Sequence, residues 1–514
     1  MASVKMDAKK PPLVIFGLDA GDPNFISGWA RDGYLPTIAS LMNQGFWGRT
    51  VGSELISEHG VWVSLFSGIS RAVHGYYYFR QLLPGTYDLK TVTGRMVKVH
   101  PFWASLRGRG KKVLIIDAPD WYPLSELDGV QLANWSTHND PPIPPSAEPP
   151  GLLQDIRRVV GPYVKVREKL GNSFHQDQKT YQRLLDNVRK KGALCRYLLS
   201  RDHFDLAVIV FSESHTASHQ FWKYRPDAHR PDTPPKENRL THAIRDIYQA
   251  IDQQIGLLLK GLPNTTNIFL VSSVGLKDDY PTINLIDSFC RRLGYQAPLE
   301  PGPLSLQPLP LFRRIVPESW RITLSRPLPR ETRERLLADQ FRGSTNWEKT
   351  KAFAIPSYYT SFVRVNLKGR EPKGIVEPRA EYKDLLDHLE ADLKQLIDPN
   401  TDEPAVKRIS RTIEIFGGDI PDSLPDLFVE WKPGHFMPRV VHPRVELVQK
   451  KPEFFRVSDH TSHGFTAAAG SSIRNQGSIG DISLLDLVPT FLALTGGHIP
   501  ERMTGRVMNV LVNG

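Results

Sequence analysis

The sequence predicts an α/β fold in which a mostly parallel central sheet is flanked by helices. Short, continuous apolar runs recur along the chain, as expected for strands that are buried on both faces of a sheet. Amphipathic helical patterns lie between these runs, and alternating strands and helices are typical of a sheet covered by helices. The 514 residues are 40% apolar and 23% charged, an ordinary globular composition that excludes wholesale disorder.

Six apolar runs are predicted to be strands, and each ends in a polar or glycine-rich turn. They are Leu13–Phe16, Val113–Ile116, Leu206–Phe211, Ile268–Val271, Leu427–Val429 and Phe465–Ala469. In sheets of this kind, binding and catalytic groups gather at the carboxyl ends of strands. Asp19, Ser212–His219, Ser272–Asp279 and the region around His460 all flank predicted strands, which makes them candidate site residues.

Helices and a change of composition complete the predicted organisation. Apolar residues recur at intervals of three and four over Ile244–Leu259, and a second helix is predicted over Leu484–Leu494. The stretch 287–420 begins with a proline-rich segment and continues as basic, irregular sequence. We therefore predict a core formed by residues 1–286 and 421–514, with an insertion or cap at 287–420.

The charge and cysteine content limit the possible partners. A net charge of +10, without a run of five Lys or Arg residues and without zinc-finger spacing, favours an anionic small-molecule substrate over nucleic acid. The apolar runs are too short to cross a membrane, and two cysteines cannot form a disulfide framework. No apolar signal segment precedes the first strand, so we expect a cytoplasmic protein. The oligomeric state is left open.

Five residues, in four segments of the chain, are of types suited to catalysis or metal binding. Ser64 precedes a predicted helix, where a hydroxyl is well placed to act as a nucleophile, although an N-cap serine fits the same pattern. His215 and His219 have a spacing that puts two imidazoles on one helix face, as in metal sites, although solvated or core histidines also fit. His460 lies in a His-rich turn, and Asp19 follows the first strand, where an Asx turn is the alternative.

Taken together, these segments resemble the type I phosphodiesterase/nucleotide pyrophosphatase family of the alkaline phosphatase superfamily. The resemblance extends over nearly the whole chain. The matching segments are Gly17–Asp22, Leu35–Leu41, Trp62–Gly68 with His74-Gly75, Ser212–His219, Val365–Pro372, Pro425–Trp431, His460 and Leu484–Thr490. The resemblance implies an alkaline-phosphatase-like sandwich in which two metal ions, usually zinc, flank a Ser or Thr nucleophile. By this resemblance, Asp19 and Ser64 face one metal, and His215, His219 and His460 face the other.

The chain departs from the family pattern at both metal positions. His215 stands where the family usually has Asp, and Ser272–Gly275 reads Ser-Ser-Val-Gly where the family has Ser-Asp-His-Gly. Serine is a poor zinc ligand and valine is none, so we predict a single zinc ion at the three histidines. Our leading hypothesis is a phosphodiesterase-like hydrolase or transferase acting on a phosphate-type ester or anhydride. Ser64 or a metal-activated water would attack, and Asp19 would orient or deprotonate Ser64.

Two alternatives remain open at this stage: a biosynthetic group-transfer enzyme on the same fold, and a non-catalytic binding protein. Seven further residues are weaker candidates. Lys277 could supply positive charge in place of a second metal, and Asp278 and Asp279 could supply carboxylates. His138 could approach the site from a loop, and Arg313, Arg314 and Arg321 could meet an anion.

Overall fold

A computed structural model shows how the predicted elements are arranged. It describes residues 10–52, 59–136, 143–166, 168, 173–227, 237–299, 328–417, 422–452 and 455–512. The described residues of 1–76, 93–280 and 454–514 form one compact unit, and those of 77–92 and 281–453 form another. Among the helices of this described part, none is long and apolar enough to cross a membrane.

The strands are, in chain order, β1 Leu13–Leu18, β2 Phe46–Val51, β3 Arg80–Leu82, β4 Leu89–Thr91, β5 Val113–Ile116, β6 Gly129–Ala133, β7 Ser146–Glu148, β8 Leu206–Phe211, β9 Asn267–Ser272, β10 Gly275–Asp278, β11 Ala352–Ile355, β12 Ser361–Val365, β13 Ile397–Asp398, β14 Glu403–Pro404, β15 Val406–Arg411, β16 Leu427–Trp431, β17 Arg439–His442, β18 Val445–Val448, β19 Ser458–Thr461, β20 His463–Ala469 and β21 Gly477–Ser483.

The α-helices are α1 Pro23–Arg31, α2 Pro36–Gln44, α3 Val61–Ser67, α4 Arg71–His74, α5 Leu152–Val160, α6 Phe174–Arg201, α7 Glu213–Phe221, α8 Ala243–Leu259, α9 Leu285–Arg292, α10 Arg330–Gly343, α11 Ala380–Lys394, α12 Thr412–Phe416 and α13 Leu487–Thr495. Short 3₁₀ turns lie at Gly94–Met96, Phe102–Leu106, Trp222–Tyr224 and Leu484–Asp486.

The first unit is built on a nine-stranded sheet with the order β21-β2-β20-β9-β1-β8-β5-β6-β7. Strands β9, β1, β8, β5 and β6 run parallel to their neighbours in this series, whereas β20 and β7 run antiparallel to theirs. Every residue of β1 and β8 is buried, as the continuous apolar runs predict for central parallel strands. The predicted fold class, a mostly parallel sheet flanked by helices, is therefore confirmed.

Both faces of this sheet are covered by helices. On one face, apolar side chains of α6 and α8 join Val14, Phe16 and Ile209 in a single core cluster. On the other face, Phe491 of α13 packs edge-on against Phe269 of β9, with ring centroids 5.0 Å apart. Because β1, β8 and β9 lie side by side and parallel, their carboxyl ends meet at one edge of the sheet, where the candidate residues follow them.

The second unit contains antiparallel sheets. Two four-stranded sheets have the orders β11-β12-β16-β15 and β14-β13-β17-β18, and β3 pairs with β4. The run predicted at Leu427–Val429 is a strand, but it belongs to one of these antiparallel sheets and not to the central sheet. The stretch predicted as an insertion, 287–420, lies within the span 281–453 of this unit. Its exact bounds remain a prediction.

Candidate metal centre

The three histidines singled out in the sequence come together at the edge of the central sheet. His215 and His219 lie one turn apart on α7, which begins directly after β8. His460 lies on β19, which pairs with β10 just beyond the end of β9. One nitrogen of each imidazole lies within 4.8 Å of the other two, and the ring centroids are 4.7 to 5.0 Å apart.

The imidazoles are oriented so that each Nδ1 atom faces an oxygen. Nδ1 of His215 lies 3.3 Å from Oδ2 of Asp19, and Nδ1 of His219 lies 2.9 Å from Oγ of Ser458. Nδ1 of His460 lies 3.7 Å from Oδ1 of Asp459. In metal sites, an oxygen at one ring nitrogen commonly fixes the tautomer and leaves the other nitrogen to bind the ion. The Nε2 atoms of His219 and His460 are 3.1 Å apart.

Electrostatics keep at least one of these rings neutral. Burial, together with the nearby His215 and Arg456, lowers the pKa of His460 well below its ordinary value. The imidazole of His460 is therefore uncharged at neutral pH and offers a lone pair. A neutral ring is the form that binds a metal ion.

Asp19 is buried at the end of β1 and lies beside the histidines, outside the group whose nitrogens converge. The indole Nε1 of Trp62 donates a 2.7 Å hydrogen bond to its Oδ1. The hydroxyl of Ser273 lies 3.3 Å from the same oxygen and accepts a hydrogen bond from the backbone of Ala20. The Oδ2 atom faces His215. Hydrogen-bond donors and an imidazole thus surround the carboxylate that the family resemblance assigns to a metal.

Ser64 lies inside α3 and is buried. The N-cap alternative for Ser64 is wrong, since Gly60 occupies that position. The Oγ atom of Ser64 is 2.9 Å from Nε2 of His74. Nδ1 of His74 accepts a hydrogen bond from the backbone N–H of Tyr76. Burial, aided by the charge of Arg71, lowers the pKa of His74 to about 3, so the ring is neutral. With Nδ1 accepting, the proton is on Nε2, which donates to Ser64.

A small cavity joins Ser64 to the surroundings of Asp19. The residues that line it include Ser64, Arg71 and Ser273, together with the hydroxyl residues Thr50 and Ser462. Arg71 is only 2% exposed, so its positive charge is buried in the lining of the same cavity as Ser64. Sequence reasoning did not assign roles to Trp62, His74 or Arg71. His74 belongs to a segment of the family resemblance, but no spacing or composition signal links Arg71 to Ser64.

Three of the weaker candidate residues, Lys277, Asp278 and Asp279, form contacts of their own in the structure. Lys277 forms an ion pair with Asp279 at 2.7 Å, and Asp278 accepts a 2.7 Å hydrogen bond from the indole of Trp222. The positive charge of Lys277 is therefore compensated within its own strand region. His138, Arg313, Arg314 and Arg321 lie outside the described residues.

Comparisons with known proteins agree with the family that the sequence motifs resemble. The sequence profile described as "Type I phosphodiesterase / nucleotide pyrophosphatase" matches residues 13–437. No curated protein sequence matches the chain. Phosphonoacetate hydrolase from Sinorhizobium meliloti, solved with phosphonoformate, is a similar structure with 11% identity and a TM-score of 0.53, covering 95% of this chain and 96% of its own. Human ectonucleotide pyrophosphatase/phosphodiesterase 5 has 11% identity and a TM-score of 0.48, covering 98% and 100%. At such identities the likeness concerns the fold.

Proposed function

Because the chain belongs to the type I phosphodiesterase/nucleotide pyrophosphatase family, we propose that it hydrolyses or transfers a phosphate-type ester or anhydride at a site with one divalent cation. Membership confirms the resemblance carried by the sequence motifs. The observation that supports the proposed site most strongly is the convergence of His215, His219 and His460, each with Nδ1 facing an oxygen.

The donor set fits a zinc ion. Catalytic zinc sites commonly use three protein ligands and keep a further position for substrate or water, and imidazole nitrogen is a preferred zinc ligand. His215, His219 and His460 would hold the ion, with Ser458 hydrogen-bonded to the ring of His219 and Asp19 lying 3.3 Å from Nδ1 of His215. A cation bound there supplies a Lewis acid that polarises a phosphoryl oxygen. Other divalent ions also accept imidazole ligands, so zinc is our first choice among them.

The surroundings of Asp19 do not fit a second cation. Among the described residues around this carboxylate, the indole N–H of Trp62 and the hydroxyl of Ser273 are directed at Oδ1. An indole N–H cannot ligate a metal, and a neutral serine is a weak ligand. These neighbours support one cation and not the two of the family pattern. We therefore propose that Asp19 faces His215 and not a second cation, and its role of orienting or deprotonating Ser64 stays a prediction.

Ser64 is the proposed nucleophile, and its neighbours suit that role. The Nε2–H of His74 donates to Oγ and would stabilise negative charge that develops on this oxygen. In this tautomer His74 does not accept the serine proton, so we keep Asp19 as the group that would take it when the bond between Oγ and phosphorus forms and the bond to the leaving oxygen breaks. Arg71 lines the same cavity, and its guanidinium can bind two phosphoryl oxygens at once. The attack would take place in this cavity, whose lining residue Ser273 lies 3.3 Å from Asp19, the neighbour of His215.

We further propose an anionic small-molecule substrate met in the cytoplasm. The net charge of +10 favours the approach of anions. Cys195 and Cys290 are buried and unpaired, as is usual for proteins of a reducing compartment.

Metal analysis combined with turnover tests this proposal. We expect one equivalent of metal per chain, and turnover of bis(p-nitrophenyl) phosphate or of ATP that is lost on chelation and restored by reloading. Ser64→Ala should remove turnover and leave the metal content unchanged, while Ser70→Ala, at the N-cap of α4, serves as the control hydroxyl.

Two equivalents of metal would contradict the single-cation site. Metal binding without turnover of any ester would favour the group-transfer alternative, and a metal-free, inactive protein would favour the binding protein.

A further inference from the structure

The open side of the histidine group faces a carboxylate that no sequence motif indicated. Oε1 of Glu168 lies 3.7 Å from Nε2 of His215, the nitrogen left available when Nδ1 faces Asp19. The side chain of Glu168 is 14% exposed, so it is accessible from the solvent side of the site. We propose that Glu168 supplies a fourth protein ligand to the cation site of His215, His219 and His460. This inference rests on the proposed function.

The spacing between these donors suits a shared ion. Two ligands on one tetrahedral zinc, each about 2.1 Å from the metal, lie roughly 3.4 Å apart. The 3.7 Å between Glu168 and His215 and the 3.1 Å between the Nε2 atoms of His219 and His460 bracket this value. A carboxylate oxygen is also a common zinc ligand. Glu168 lies outside the group of donor atoms that are all within 4.8 Å of one another, so its side chain must turn toward His219 and His460 to join the ligand set.

A second set of contacts holds Glu168 in this place. Nη1 of Arg456 lies 3.4 Å from Oε2 of Glu168, while Nη2 of Arg456 lies 2.9 Å from Oδ1 of Asp459. Asp459 precedes His460 on β19 and lies 3.7 Å from its ring. Arg456 thus links the carboxylate to the strand that carries the third histidine. It engages Oε2 and leaves Oε1 directed at His215.

A fourth ligand would change the charge and the coordination of the site. Three neutral imidazoles leave the full charge of a divalent ion in place, whereas one carboxylate reduces it by one unit. Four protein donors and one substrate oxygen make five ligands, a number that zinc reaches in catalysis. Glu168 would therefore tighten the binding of the cation without closing the site to an anionic substrate.

Cation titration of the full-length protein tests this assignment. The chelated protein is titrated with Co²⁺ and Zn²⁺, and its absorption spectrum is recorded at saturating Co²⁺. In Glu168→Gln we expect the dissociation constant to rise by at least about 100-fold, the upper end of what partners behind the ligands contribute. The spectrum of the saturated variant should also differ, because a neutral amide replaces the anionic carboxylate donor. Asp202→Asn removes an exposed carboxylate that pairs with Lys112 and is the matched control.

The outcomes separate this inference from the proposed function. Wild-type affinity in Glu168→Gln, with loss of binding in His219→Ala, would overturn the role of Glu168 and leave the histidine site standing. Weaker binding with an unchanged spectrum at saturation would show a charge effect only, and would also overturn ligation. If the wild-type protein binds neither ion, both proposals fail. Because Glu168 is partly exposed and Gln has the same shape, circular dichroism should show an unaltered fold.

Discussion

Two buried polar clusters lie on opposite sides of the first turns of α7, and their side chains interact in different ways. In the inner cluster, Lys191 lies 3.2 Å from Asp117 and 3.5 Å from Glu213, the first residue of α7. In the outer cluster, His215 and His219 of α7 meet His460. Lys191 and both of its carboxylate partners are at most 1% exposed, so the inner cluster is closed to water.

The difference shows which cluster serves the fold and which is suited to a ligand. In the inner cluster, Lys191 donates to the carbonyl of Val210, and Asp117 accepts hydrogen bonds from Trp135 and Ser136. Glu213 lies 3.5 Å from Lys191, and its oxygens accept no hydrogen bond from the described residues. Burial opposes the charge of Lys191, yet Glu213 and Asp117 raise its pKa above the usual value. In the outer cluster, Nε2 of His219 and Nε2 of His460 lie 3.1 Å apart, and the imidazole nitrogens of the three histidines converge. Under the proposed function these nitrogens bind a cation, whereas the inner cluster contains its own positive charge, Lys191.

The largest expected effect is the loss of the inner cluster's cation. Lys191→Met leaves Asp117 and Glu213 buried without their positive partner, which should lower the free energy of unfolding by about 3–5 kcal/mol. Urea unfolding followed by tryptophan fluorescence measures this change. Lys179→Met, an exposed lysine on the same helix, is the control and should change little. Equal stability of Lys191→Met and the wild type would contradict a structural role for the inner cluster.

A substitution of one histidine of the outer cluster should change the free energy of unfolding little and weaken the binding of the cation. We expect His219→Ala to weaken Zn²⁺ or Co²⁺ binding by about 100-fold or more, equivalent to about 3 kcal/mol. The free energy of unfolding of the metal-free protein should change much less than in Lys191→Met. Isothermal titration calorimetry gives the affinity, and His203→Ala, at an exposed position just after the end of α6, is a matched histidine control. Strong destabilisation of the metal-free variant would show that the outer cluster is structural as well.

Acid should act on the folded protein through the buried imidazole of His74. His74 has a pKa of about 3 in the folded protein, against an ordinary value of 6.5. Between these values the unfolded chain binds a proton that the folded protein does not, so stability falls as the pH falls through this window. The contribution is at most about 1.4 kcal/mol per pH unit.

His74→Gln should reduce this slope between pH 6.5 and pH 3 if the metal-free protein is unfolded in urea at several pH values. The exposed His175→Gln is the control. An identical slope in His74→Gln and the wild type would show that the ring takes up its proton in the folded state, and would remove the argument that Nε2 donates to Ser64.

The sequence predicted the elements because their signals are local. Apolar runs identify β1, β5, β8 and β9, and apolar spacing identifies α8. The spacing of His215 and His219 also suffices to put them on one helix face. The position of the run at Leu427–Val429 was not predictable in the same way, since a short apolar run does not reveal which sheet it joins.

The parts of the site that were not predicted depend on contacts between distant segments. Trp62 reaches Asp19 across 43 positions, and Arg456 reaches Glu168 across 288. The bond between His74 and Ser64 spans only 10 positions, but it depends on a turn at Gly68 and on the short helix α4, which no periodic pattern encodes. Only the family resemblance brought His460 together with the HxxxH pair before the structure did.

The smallest expected effect concerns a thiol beside the inner cluster. Cys195 lies one turn after Lys191 on α6 and is fully buried, and burial raises its pKa to about 12. The thiolate is the reactive form, so at pH 8 only about one thiol in ten thousand is ionised, and water does not reach it. We expect no reaction of the native protein with Ellman's reagent over an hour, and two thiols per chain after unfolding. In Lys191→Met, Cys195 should react measurably faster, because the loosened cluster admits solvent. Cys290 should not react faster, and Cys195→Ala in the Lys191→Met background identifies which thiol reacts.

Rapid reaction of Cys195 in the wild type would show that the inner cluster opens as readily as the outer one, and the contrast between them would disappear.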